Sequence, residues 1–134
     1  MGLAEYLSER LICMDLEPSQ RDEAVQALLE LFVADGAMPA ELVGPARQAI
    51  VDRERLGSTA IGRGVAVPHA RLEGVERILV AFGHSRKGIE FNALDGQPVH
   101  QVFLVLAPNG AAEQYLNVME RITRLVQNDD FRRF

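Results

Sequence analysis

Arg53-Glu54-Arg55-Leu56-Gly57-Ser58-Thr59-Ala60-Ile61-Gly62-Arg63-Gly64-Val65-Ala66-Val67-Pro68-His69-Ala70-Arg71 is the stretch on which the reading of this chain turns. It holds three glycines, two hydroxyl side chains, four arginines and one histidine that follows a proline. Gly57, Gly62 and Gly64 permit backbone conformations that side chains oppose. Thr59 to Val67 therefore reads as a short hairpin, or a pair of strands, bending at Gly62 and Gly64. Pro68 restricts its own backbone and that of Val67, so His69 leaves the strand end in a defined direction.

An imidazole held this way suits a nucleophile that presents a neutral nitrogen again and again in one geometry. During phosphoryl transfer negative charge spreads over three oxygens, and catalysis is mostly positioning, positive charge and N–H donors. Arg53 offers the planar fork for that charge, while Ser58, Thr59 and the glycine-rich backbone offer neutral donors. A plainer reading stands beside this one: a histidine after a proline is often a loop residue or a satisfied polar group. Gly62-Arg63-Gly64 lacks the third glycine and the helix of a dinucleotide fingerprint. Arg55, Arg63 and Arg71 read individually as solvated surface charges. His69, His84 and His100 are too scattered for a metal site, and His84 and His100 read as solvated strand-end residues.

Helices are expected before this stretch. Leu3 to Arg10 reads as a short helix and Leu11 to Met14 as a short edge strand. Ser19 is placed to cap a helix, in which Ala24, Val25, Leu28, Leu29 and Phe32 recur at helical spacing. Gly36 stops it. Pro39 can open a second helix, with a kink or restart at Gly44-Pro45, Arg53 in its last turn and Gly57 at its end. Strands follow. Ile78 to Phe82 and Val102 to Leu106 are continuous apolar runs, as in strands covered on both faces. Lys87-Gly88 and Asp95-Gly96 read as turns, with a short strand at Ile89 to Phe91 between them. Pro108-Asn109-Gly110 closes the second long strand. Glu113 to Gln127 reads as a helix with Leu116, Met119, Ile122, Thr123 and Val126 inward. Helices, strands, then a helix predict a mixed sheet between helices.

Length and composition set the frame. A chain of 134 residues with 48% apolar and 25% charged residues fits a single soluble globular domain. A net charge of −5 leaves no electrostatic footprint for nucleic acid. No apolar run has the ~18 residues of a membrane span, and Met1 to Glu5 lacks the basic opening of an export signal. The single cysteine, Cys13, excludes an internal disulfide and reads as a small core residue. A cytoplasmic protein is expected, with neither nucleic-acid binding nor membrane insertion.

Arg53-Glu54-Arg55-Leu56-Gly57-Ser58-Thr59, then Ile61-Gly62, Gly64-Val65-Ala66-Val67-Pro68-His69-Ala70, resemble the IIA domains of the phosphotransferase system, fructose/mannitol type. Gly88-Ile89-Glu90-Phe91, Ala93, Asp95-Gly96 and Pro98-Val99, followed by an apolar strand, are similar to the same family's next signature. The resemblance covers essentially the whole chain. It implies one three-layer α/β/α domain over residues 1–134, with a mixed central sheet and a final helix, begun at Asp129 to Arg133, that is cut short. His69 matches the family's phosphoryl-accepting histidine and Arg53 its arginine. Such a histidine takes a phosphoryl group from an HPr-type phosphocarrier and passes it to a IIB domain, or reports its state to regulatory partners. No metal or nucleotide cofactor is implied. Many relatives carry a second histidine at the start of the last helix, and Gln114 stands at the place matched to it, as a hydrogen-bond donor without charge. The Ile-x-Phe-x-Ala-x-Asp segment is similar to the nitrogen-regulatory branch, which is preferred to a sugar-transport component. A regulatory module that works only by protein contacts, with phosphorylation as a switch, is the competing class.

Overall fold

The computed structural model describes residues 5–127. Among the described residues the expected helix at Leu3 to Arg10 is reduced to 3₁₀ geometry, at Glu5 and in the turn Glu9–Leu11, and the final helix expected from Asp129 lies outside them. Strand β1 (Ile12–Cys13) follows as an edge strand.

Helix α1 (Arg21–Ala34) buries Ala24, Val25, Leu28, Leu29 and Phe32, the expected stripe. Its N-cap is Gln20 rather than Ser19. Ser19 is drawn into pairing with the strand side, its carbonyl accepting the N–H of Glu90 at 2.9 Å. A 3₁₀ turn, Ala40–Leu42, leads into α2 (Val43–Leu56). Pro45 interrupts nothing, because it sits in the first turn, where no intrahelical partner awaits its N–H.

Strands β2 (Ala60–Gly62) and β3 (Val65–Ala66) form the expected antiparallel hairpin. Strands β4 (His69–Arg71), β5 (Leu79–Ile89) and β6 (Val99–Ala107) complete a mixed sheet of order β1-β5-β6-β3-β2, with β4 also on β6. Both β3 and β4 run parallel to β6, at Gln101–Val102 and at Val105–Ala107. Strand β5 is twice as long as its apolar run because Lys87-Gly88 is not a turn. The ladder shifts register between His84 and Ile89, and the hydroxyl of Ser85 accepts the Gly88 N–H at 3.0 Å in place of a ladder bond. The predicted separate strand at Ile89 is thereby absorbed, and His84 lies inside β5 rather than at its end.

Alternation along β6 divides the core. Val102, Leu104 and Leu106 pack with α1 and α2, while Phe103, Val105 and Ala107 face the other side. There helix α3 (Ala112–Val126) covers them with Tyr115, Val118, Ile122 and Val126. The buried stripe of α3 is thus rotated from the predicted one: Leu116 is 66% exposed and Thr123 is exposed. Burying the large Tyr115 ring decides that phase. The three-layer α/β/α architecture is as predicted.

Gly83 pairs with Val102 at the centre of the sheet, under α1. A Cβ there would stand 2.7 Å from Leu16 Cδ2 and 3.1 Å from Leu28 Cδ2, both on buried side chains. Gly83→Val is expected to destabilise the fold by about 1–3 kcal/mol. Urea unfolding measures this, and a wild-type midpoint would mean that the core has room to spare.

Candidate functional site

Strand β3 does not run on into β4 without a break, and the reason is Pro68. A parallel ladder along β6 needs a backbone N–H at regular intervals, and proline has none. The Pro68 carbonyl still accepts from Val105 N at 3.0 Å, while the Val67 N–H turns the other way, to Thr59 of the hairpin at 3.1 Å. The carbonyl of Val67 takes its hydrogen bond from a side chain instead: His69 Nδ1 lies 2.7 Å away. A carbonyl only accepts, so Nδ1 carries the proton. In the neutral ring Nε2 therefore keeps its lone pair and points away from the backbone. A half-buried imidazole is held in one tautomer and one orientation by its own chain.

Strand alternation then decides what meets the ring. Ala70 turns into the core beneath α1 and α2, so His69 and Arg71 share the opposite face. Helix α3 begins over that face. The Tyr115 ring lies 5.8 Å from the His69 ring, tilted at 49°. The Arg71 guanidinium carbon sits 5.5 Å from the centre of the same tyrosine ring, within range of a cation–π contact. Burial pushes the Tyr115 phenol up from its usual range, while the positive charges of Arg71 and, to a lesser degree, Arg53 act to lower it. Arg53 thus reaches the site electrostatically from the far layer, at the end of α2, where its Nη1 donates to the Gly57 carbonyl at 2.9 Å.

The remaining predicted residues serve elsewhere. The Thr59 hydroxyl and N–H both go to the buried carboxylate of Glu54, the N–H at 3.1 Å from Oε2. This clamp ties the end of α2 to the start of β2. The Ser58 hydroxyl donates to the Phe91 carbonyl at 2.8 Å and accepts from Ala60 N. Both hydroxyls therefore brace the turn that carries Arg53, and their protons are not turned to a phosphate. Gln114 is exposed and lines a different hollow, with Tyr6, Ile78 and Leu79. The side chain beside His69 is that of Tyr115, the neighbour of Gln114, which follows from the phase of α3. Arg71 is exposed, as predicted for a solvated charge, and lies on the face that carries His69. Two patterns carried these signals: the i, i+2 relation of His69 and Arg71 on a strand, and the spacing Tyr115, Val118, Ile122, Val126.

The hairpin turn is closed by positive backbone angles at Gly62 (φ 93°), Arg63 (φ 59°) and Gly64 (φ 79°). The Gly64 carbonyl accepts from both His100 N and Gln101 N at 2.8 and 2.9 Å, which anchors the turn to β6. His100 directs Nδ1 at the Ser85 carbonyl, 2.9 Å away, and no cluster of three potential metal ligands occurs among the described residues. Nor is any described helix long and apolar enough to cross a membrane.

Residues 5–133 match the family described as "Phosphoenolpyruvate-dependent sugar phosphotransferase system, EIIA 2". The chain is 37% identical to a protein of Bradyrhizobium diazoefficiens named "Nitrogen regulatory protein", over 97% of this chain and 83% of that one. It is 31% identical to a "PTS system fructose-specific EIIA component" of Haloferax volcanii, over 91% of this chain and 78% of the other. Among solved structures, nitrogen regulatory protein IIA-Ntr from Neisseria meningitidis superposes with a TM-score of 0.85 at 28% identity, covering 96% of this chain and 86% of that chain.

In the neutral ring of His69, long-range ¹H–¹⁵N NMR is expected to show Nδ1 protonated and Nε2 bare. The reverse pattern would contradict the bond to Val67.

Proposed function

The chain belongs to the phosphotransferase-system EIIA 2 family, whose members are phosphotransfer components, and from that premise we propose that His69 is its phosphoryl acceptor, with Arg53 as the charge that steadies the group. The observation that carries this reading is the 2.7 Å bond from His69 Nδ1 to the Val67 carbonyl, which leaves Nε2 as the free nucleophile. The Nε2 lone pair attacks phosphorus of a phosphohistidine on an HPr-type carrier. The new N–P bond forms as the donor's N–P bond breaks, and that electron pair returns to the donor nitrogen. The Nδ1 proton stays on its bond to Val67, so no proton has to leave the accepting ring. The phosphorylated ring then carries positive charge and is itself a good leaving group for onward transfer. Arg53, at the end of α2, faces the growing charge of the phosphoryl oxygens.

The nitrogen-regulatory reading is favoured over sugar transport. The 37% identity over nearly the full chain to a protein of that name, against 31% to a fructose component, supports it. On this reading phosphorylation adds about two negative charges to an exposed-edge site and changes which partner surface docks there. The transport reading instead passes the group to a IIB domain. In either case the work is done in the cytoplasm, where phosphoenolpyruvate and the carrier are found.

Incubation with phosphoenolpyruvate, the general phosphotransferase enzyme and an HPr-type carrier is expected to give acid-labile, base-stable label on the wild type and none on His69→Ala. Label that survives His69→Ala would end the assignment. Arg53→Gln is expected to slow transfer by on the order of a hundredfold with the fold intact. An unchanged rate would remove Arg53 from the mechanism. Transfer of label from His69 to a fructose-type IIB domain would move the balance to transport.

A further inference from the structure

Tyr115 is 92% removed from solvent by complement of its 8% exposure, yet it is not simply core. Its ring spans two environments. One side packs with Val118, Ile122 and the sheet residues Val105 and Ala107. Another meets the His69 imidazole at 5.8 Å and receives the Arg71 guanidinium at 5.5 Å from its centre. The hydroxyl end feels the charges of both Arg71 and Arg53. A purely structural aromatic does not need two arginines, and an exposed arginine gains only about 0.5–1 kcal/mol from the ring face. The groups make sense together around an anion that arrives on His69.

We infer that Tyr115 is a second holder of the phosphoryl group: its ring steadies the His69 imidazole, and its hydroxyl donates a hydrogen bond to a phosphoryl oxygen carried on Nε2, beside Arg71. The inference rests on His69 being the acceptor. Phenol suits the task because it stays protonated through the neutral range, and burial here pushes its titration further from that range. The donor is therefore constant where an imidazolium would be losing its charge. Arg71 supplies the positive charge that Tyr115 lacks, and the ring face gives its guanidinium a place to rest while the site is empty. Sequence position alone does not pair these two residues. The strand alternation of β4 and the first turn of α3 bring them together.

The test compares Tyr115→Phe, which keeps the ring, with Tyr115→Leu, which removes it. Each protein is equilibrated with a purified, labelled HPr-type carrier, and the partition of label between the two is measured across pH ~6 to ~8. Tyr115→Phe is expected to hold on the order of tenfold less phosphoryl group at equilibrium, the worth of one hydrogen bond to a charged group. The deficit should be flat across the pH range, and the thermal midpoint of the unphosphorylated protein should be unchanged. Arg71→Gln should show a deficit of similar size. If Tyr115→Phe partitions as the wild type does and only Tyr115→Leu is impaired, the ring is packing alone and the inference falls. A wild type that takes no label overturns the acceptor assignment and this inference together. Normal labelling with an unaffected Tyr115→Phe overturns this one only.

Discussion

A missing N–H organises the site. Residue 68 has no donor to give β6, so the ladder that runs in one register through β3 and β4 is interrupted between Ala66 and His69. Beside that break the Val67 carbonyl, on the side away from β6, takes its bond from His69 Nδ1 at 2.7 Å. The orientation of the imidazole, the identity of its free nitrogen and the direction in which that nitrogen points all follow. The acceptor is backbone, so its hydrogen-bonding power does not change with protonation, as that of a carboxylate would.

Around that bond the molecule spends much of its polar machinery on geometry. Glu54, buried at the end of α2, accepts from both the N–H and the hydroxyl of Thr59. Ser58 bridges to Phe91. Asp95 accepts from Arg63 N at 3.3 Å and so binds the hairpin tip to the loop after β5. The first two sets satisfy buried or half-buried donors that would otherwise cost about 1–3 kcal/mol each. They also hold Arg53 at a fixed distance from the sheet edge. The motif that reads in sequence as a row of phosphate ligands is in large part a brace, with Arg53 and His69 at its two ends.

Much of this was legible in the residues. The stripe Ala24, Val25, Leu28, Leu29, Phe32 and the apolar runs in β5 and β6 declare their own periods, and the Pro68-His69 pair declares a constrained imidazole. What escaped was whatever depended on a register or a phase. Lys87-Gly88 has turn chemistry, but Ser85 accepts the Gly88 N–H and lets β5 continue through a bulge. In α3, Leu116 and Tyr115 are both apolar enough to face inward, and only the docking of the aromatic ring on the sheet settles which does. That phase puts Tyr115, and not Gln114, beside His69. Arg71 stays exposed, as expected, but shares the His69 face, since a strand places i and i+2 on one face whatever their polarity.

Three side chains of the proposed site come from three layers. Arg53 rides on a helix of one face, Tyr115 on the helix of the other, and His69 on the sheet between them. None of the three is brought near the others by its own segment. A chain with either helical layer undocked would keep its histidine but lose the surroundings that make it useful. On the proposed function, competence to be phosphorylated would then certify complete assembly, and a half-folded copy would be silent towards a carrier.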